Sequence, residues 1–467
     1  MRPPSRTRRP SSRLLLLLLS TLLVTSAAAA TLAPALAKSA PRSTETAAPT
    51  TLASTLPLQL SAGNMFMCMV LSDDSVSCTG SNTYGNLGFG GTVNSATPMR
   101  VAEGDFRARY VSAGMTHTCA IATSGYAWCW GSAASGESGN NPDKFSEGYT
   151  SDPVQVTRST GLGKVSTLCA GMYFTLAVSA ETGALWGWGS NLYGVLGAQP
   201  GSLPYGSYSY EPTEIKGFPD GTHVVEVACG QTHACYLTTT GTVGCHGFSN
   251  FGQIPTAGLG LSLTPVWVPS FTAQSLSAGA WHTCAVDTAG AVWCAGSSAS
   301  FQAGGPTRIV HTKLTQVPGF PDGFTAVKVV AGEAFTLVVD ASSNVFVFGS
   351  TSNGQAATGA VNTAIATPER YADGAQVLLV TAGVTHSAYV DPTGQTWAAG
   401  LNVQGELGTG AFGKQFPHPQ KSLLALPRAR GAQRVGRAQP FGHAGAARAR
   451  QARGQGHWRQ KEEQGER

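Results

Sequence analysis

Apolar and small residues along this chain come in short blocks of five or six, broken by turns rich in Gly, and no window of useful length repeats at the helical period. In one such stretch His117 to Ala122 and Tyr126 to Trp130 flank Thr123-Ser124-Gly125. This is the pattern of two strands joined by a three-residue hairpin loop whose Gly suits the left-handed position. Gly241, Gly290 and Gly394 fill the same slot elsewhere, and Asp74 replaces Gly in the earliest case. Asp tolerates that backbone conformation better than most residues. Val224 to Ala228 predicts a strand ahead of such a hairpin, and stretches such as Pro153 to Thr157 and Pro265 to Val268 predict a strand after it.

The hairpins recur. Seven copies carry a small residue followed by Gly, at Gly63, Gly114, Gly171, Gly230, Gly279, Gly332 and Gly383. A second Gly lies 17 or 18 residues on, at Gly80, Gly131, Gly189, Gly247, Gly296, Gly349 and Gly400. Copies are 49 to 59 residues apart, so length varies between motifs rather than within them. Four short strands per repeat, seven times over, is the signature of an all-β propeller.

Ala113-Gly114 to Gly131, Gly189-Ser190-Asn191-Leu192-Tyr193-Gly194-Val195-Leu196-Gly197 and Asn402-Val403-Gln404-Gly405-Glu406-Leu407-Gly408 carry a closer likeness. The pattern resembles the regulator of chromosome condensation repeat, over residues 56 to 410 or so. That resemblance implies a seven-bladed β-propeller. It admits guanine-nucleotide exchange on a small GTPase with chromatin association, an activity of the family's founding member, and also extracellular inhibition of an enzyme. An ultraviolet-receptor role, also known on this scaffold, would need clustered Trp beside Arg, whereas Trp281 follows Gly279-Ala280 alone.

Composition sharpens the picture. The 467 residues include 58 Gly and are 42% hydrophobic but only 12% charged, which excludes a disordered protein. The net charge of +5 hides a split into +5 over residues 1–37, −8 over 38–420 and +8 over 421–467. An acidic middle argues against nucleic acid as a partner of the propeller. Arg2, Arg6, Arg8, Arg9 and Arg13 precede the apolar run Leu14 to Val24 and then small residues up to Ala37. That order reads as a secretory signal peptide over 1–37, with an uncleaved signal anchor, and hence a membrane contact, or an organelle transit peptide as alternatives. Residues 38–55 read as a Ser/Thr/Pro-rich stalk, 56–420 as the propeller and 421–467 as a basic disordered tail. The tail begins where an outer strand is due. Residues 45 to 60 are therefore one source for a strand that closes the ring.

Eight of the ten Cys fall five or fifteen residues after a first Gly: Cys68 with Cys78, Cys119 with Cys129, Cys235 with Cys245 and Cys284 with Cys294. Folding each hairpin puts the two sulfurs of a copy opposite one another, roughly 4.5 to 5.5 Å apart at Cα, within disulfide range. Four such bridges would mean an oxidising compartment. The alternative is Cys used as a small buried apolar residue. Cys169 and Cys229 lie outside this register and are expected unpaired.

His117, His233, His282 and His386 recur three residues after the first Gly, where Phe66, Phe174 and Phe335 replace them. Phe neither ligates metal nor moves protons, so the position reads as packing, as do Trp130 and Trp188 before the second Gly. Asp220 and Asp322 sit in Gly-Phe-Pro-Asp-Gly turns. No nucleophile elbow, phosphate loop or zinc-peptidase motif occurs, and no cofactor is implied. Variable loops remain as the place for function. Glu137 to Asp152 is polar, and Pro200 to Pro212 carries Tyr205, Tyr208 and Tyr210 amid Gly and Ser, a composition suited to protein binding. The expectation is a non-enzymatic, secreted or lumenal scaffold that binds a protein partner.

Overall fold

A computed structural model of the chain describes residues 57–140, 148–157, 161–197, 203–256 and 258–424. The strands form four-stranded antiparallel units that follow one another along the sequence. Each starts with the strand before a first Gly, passes through the hairpin and ends in an outer strand. The first is Pro57–Ala62, Phe66–Leu71, Val76–Gly80 and Ser95–Arg100. The last is Leu379–Ala382, His386–Val390, Thr396–Leu401 and Gln415–Lys421. Five units are separate sheets. The fourth and fifth share a seven-stranded sheet, because Leu261–Ala278 serves as outer strand against Thr242–Phe248 and then as inner strand against His282–Asp287. The total is seven blades.

All seven first-Gly motifs meet around one small central cavity of about 100 Å³. In five blades the residue after that Gly donates its N–H to a carbonyl of the next. Asn64 bonds Gly114, Met115 bonds Gly171 (both 3.2 Å), Glu333 bonds Gly383 (3.2 Å) and Val384 bonds Gly63 (3.1 Å). The last of these joins blade seven to blade one. The approach is so close that a Cβ on Gly63 would lie 2.4 Å from the Gly114 carbonyl oxygen and one on Gly279 2.4 Å from that of Gly332. The second Gly has a different reason. Its φ runs from 100° to 117° across the blades, and a Cβ there would strike the backbone of the partner strand, as at Gly80 against the Met65 carbonyl (2.4 Å). At the hairpin tip Asp74 adopts φ 60°, as its replacement of Gly implied.

Ring closure, which the sequence alone leaves open, comes from contiguous chain. Gln415–Lys421 supplies the outer strand of the last blade and Pro57–Ala62 the inner strand of the first, so every blade is built from contiguous chain. The ends meet side by side: Ala62 N–H donates to Thr381 Oγ1 (3.0 Å) and Thr79 Oγ1 donates to the Gly405 carbonyl (3.0 Å). The signal and stalk segments and residues 425–467 of the tail lie outside the described residues.

Inner strands need partners for their free edge, since an unpaired buried N–H is costly. In four blades the side chain two residues before the first Gly provides one, Thr381 and three serines. Ser61 accepts from Ala113 N–H (3.0 Å), Ser112 from Ala170 (3.0 Å) and Ser277 from Ala331 (2.9 Å). Side chains here point at the residue just before the next blade's first Gly. In blade three this slot holds Cys169 and in blade four its target is Cys229, so the two sulfurs meet at bonding distance across the blade boundary, with Cα atoms 5.7 Å apart. This corrects the expectation that both are unpaired. The four hairpin pairs stand as the repeat register places them, directly opposite and at Cα separations of 4.0 to 4.1 Å, tighter than the sequence estimate.

Candidate partner-binding surface

The recurrent histidines are built into the blades. Each imidazole lies against the first Gly of its own blade, as the Phe rings do in the others; a Cβ on Gly114 would lie 2.9 Å from His117 Cε1, and one on Gly332 2.2 Å from Phe335 Cε1. His117, His233 and His282 reach the next blade through Nε2, at 2.9, 2.8 and 3.0 Å from the hydroxyls of Thr175, Thr283 and Thr336. Each hydroxyl spends its single proton on a backbone carbonyl, of Glu137, Gln253 and Gln302 respectively. The hydroxyl therefore accepts from the ring, which fixes the proton on Nε2. Burial holds these three imidazoles down at about 3, and His386 at about 4. They are neutral packing groups.

Trp130 and Trp188 are buried and play the same part, donating Nε1–H to the Asn86 (3.0 Å) and Glu137 (2.9 Å) carbonyls of the preceding blade. His246 occupies the equivalent position in blade four and meets the Val195 carbonyl (2.8 Å). Glu137 and Glu406 are buried and pushed above the usual carboxylate range by burial, yet both brace their own loops: Glu137 accepts from Ser135 N–H (2.8 Å) and Glu406 from Gln404 N–H (2.7 Å). Gln253, Gln302 and Gln355 make the corresponding contacts, so an amide does the same work. Glu226, pushed up to about 7 by burial and eased by Lys328, bonds the backbone of Leu276 in the next inner strand. Asp220 and Asp322 are exposed on their turns.

Among the described residues, most of the large exposed apolar side chains lie in blades three to five, with others, Tyr84 and Phe412 among them, in blades one and seven. The loop after the second Gly of blade four places Phe251 against Trp281 of blade five, ring centroids 5.3 Å apart and each ring 38% exposed. That loop rests on the next outer strand, since a Cβ on Gly252 would lie 3.0 Å from Val310 Cγ1. Val310 and Ile309 are themselves exposed. On the other side Leu192 is exposed in the loop of blade three, where a Cβ on Gly194 would lie 3.1 Å from Leu261 Cδ1. Sequence reasoning noted Trp281 but missed Phe251, Leu192 and Leu261. Their signal was available, because each stands next to a loop Gly or at the start of an outer strand, at register positions that the repeat leaves to solvent.

The tyrosine loop lies beside the loop that carries Leu192. Pro204 and Ser207 are tied to Asn191, through Asn191 Nδ2 to the Pro204 carbonyl (3.2 Å) and Asn191 N–H to the Ser207 carbonyl (2.8 Å). Tyr205 and Tyr208 are exposed, whereas Tyr210 is half-buried against the blade-two loop, where a Cβ on Gly136 would lie 3.1 Å from its Cδ1. Residues 200–202 of that insertion and 141–147 of the polar one lie outside the described residues.

Known proteins resemble the chain in its repeat and its fold. The profile of the regulator of chromosome condensation (RCC1) repeat matches residues 73–121 and 182–237, and a second profile of that repeat matches 273–302. The ultraviolet-B receptor UVR8 of Arabidopsis thaliana is 29% identical over 59% of this chain and 61% of its own length. The mitochondrial RCC1 domain-containing protein RUG3 of the same plant is 27% identical over 53% and 55%. The chain thus spans little more than half the length of these relatives. Among solved structures, Prp20p of Saccharomyces cerevisiae superposes with a TM-score of 0.64 at 18% identity, covering 79% of this chain and 87% of that one. Human WBSCR16 gives 0.63 at 20% identity, covering 74% and 93%. Repeat register, blade construction and the structural likenesses agree that the chain is an all-β propeller, and residues 73–121, 182–237 and 273–302 match the regulator of chromosome condensation repeat.

Proposed function

We propose that this propeller is a non-enzymatic scaffold that binds a protein partner in an oxidising compartment, the secretory lumen or the extracellular space. The observation that carries the binding role is the run of exposed aromatic and aliphatic side chains from Leu192 through Leu261 and Phe251 to Trp281 and Val310, held on rigid blades. Tyr205 and Tyr208 extend it with rings that add contact area at low entropic cost. The compartment is supported by five cysteine pairs at bonding distance and by the Arg-then-apolar N-terminal order.

Expression of the full chain with its own N-terminus tests both halves. The tagged protein is expected in the medium or the secretory lumen, oxidised, and cross-linked to a partner there. Phe251→Ser with Trp281→Ser should abolish the cross-link without altering secretion. A nuclear, fully reduced protein that accelerates nucleotide release from a small GTPase would overturn the proposal in favour of the exchange-factor alternative.

A further inference from the structure

The outer strand of a propeller blade is an open sheet edge, and six of the seven blades blunt it in the same way. Three residues after the outer-strand residue that pairs with the second Gly stands a proline: Pro98, Pro153, Pro212, Pro265, Pro368 and Pro419. In blade five His311 pairs with Gly296, and the residue three further on is Leu314. Proline at an edge removes a donor and discourages pairing with another strand. Blade five keeps that donor. Val317 N–H turns inward to the Val292 carbonyl (2.9 Å), so strand alternation turns Thr315 inward and sends the N–H and carbonyl of Leu314 and Gln316 outward.

We infer that the outer edge of blade five, Lys313 to Gln316, is a β-augmentation site that takes an extended, acidic peptide segment of a partner protein as an added strand. Such recognition draws affinity from main-chain hydrogen bonds and specificity from alternate side chains. Two features of the edge select the peptide. Its charges are cationic: Lys313 is exposed on the strand, and Arg308 lies over Phe301 at 4.5 Å just before it. Its upper end runs into exposed Ile309 and Val310, beside the Phe251 and Trp281 pair, which can receive an aliphatic side chain. Among the described residues, a loop engages the Thr312 carbonyl above, through Thr256 N–H at 3.1 Å. Charge also argues against a second copy of this chain, since two such edges would bring like charges together. The inference rests on the scaffold reading and names the partner's recognised element.

The test pans a random heptapeptide phage library on the full, oxidised chain and synthesises the strongest binder. Selected peptides are expected to combine β-branched residues with Asp or Glu. Leu314→Pro, which gives blade five the residue of the other six, should weaken the synthetic peptide tenfold or more, whereas Leu314→Ala, which loses the same packing against the core but keeps the N–H, should bind it as the wild type does. Lys313→Glu should shift selection towards basic peptides. Failure to select any peptide, or binders indifferent to Leu314→Pro and Lys313→Glu, would overturn the inference. So would a dimer that Leu314→Pro abolishes in sedimentation. Binders lost only with Phe251→Ser and Trp281→Ser would remove the edge but leave the scaffold reading standing.

Discussion

Replacing His282 by Phe should leave the fold intact at neutral pH and make it more resistant to acid. Phe occupies this slot in three blades against the same Gly, so the ring fits. The substitution removes the bond to Thr336 Oγ1, about 1 kcal/mol, and also the buried Nδ1 that has no partner, so the two changes roughly offset at pH 8. Acid separates the variants. Burial lowers the folded imidazole from 6.5 to about 3, so below pH 6.5 the unfolded chain binds a proton that the folded chain refuses. Stability is full above 6.5 and is lost as pH falls towards 3. With about 1.36 kcal/mol per pKa unit, His282 alone takes away about 2 kcal/mol between pH 8 and pH 5. Urea unfolding of the two proteins at both pH values measures the difference. Wild type should lose about 2 kcal/mol more than His282→Phe over that interval, and other titrating groups, Glu226 among them, cancel in the comparison. Equal losses would show that this imidazole is not held neutral by its surroundings.

Three further outcomes follow from the packing. Gly279→Ala puts a Cβ 2.2 Å from His282 Cε1 and 2.4 Å from the Gly332 carbonyl oxygen, and should cost about 3 kcal/mol in urea unfolding. Trp188→Phe removes the donor to Glu137 and leaves a cavity where the rest of the buried indole stood, and should cost about 2 to 3 kcal/mol by the same measurement. Cys235→Ala with Cys245→Ala should lose about 3 kcal/mol of loop closure. The pair Cys235→Leu and Cys245→Val should recover part of that loss in a thermal melt, because blade six holds Leu337 opposite Val347 in this register.

Much of the blade was legible because a hairpin's register is local. Ten residues separate each hairpin cysteine from its mate, and one turn fixes which residues face each other. Cys169 and Cys229 are 60 residues apart and meet through the packing of two inner strands, a contact that no hairpin predicts. Aligning all seven copies on the first Gly would have exposed it, since Ser61, Ser112 and Ser277 use the same slot to reach the next blade. Blades five and six each lack a Gly in the loop after the second Gly, yet Phe301 and Ala357 take φ of 63° and 54°, keeping a left-handed turn where other blades have Gly. The exposed surface was hardest to read, because Phe251 and Trp281 belong to different blades and become neighbours only in the ring.

Mass mapping of the unreduced protein, isolated from its native source with thiols blocked at lysis, tests the export and covalent-scaffold account most directly. The account predicts five linked peptide pairs, Cys68 to Cys78, Cys119 to Cys129, Cys169 to Cys229, Cys235 to Cys245 and Cys284 to Cys294, with no alkylated cysteine. Recovery of the hairpin cysteines as alkylated thiols in a correctly folded protein would contradict it.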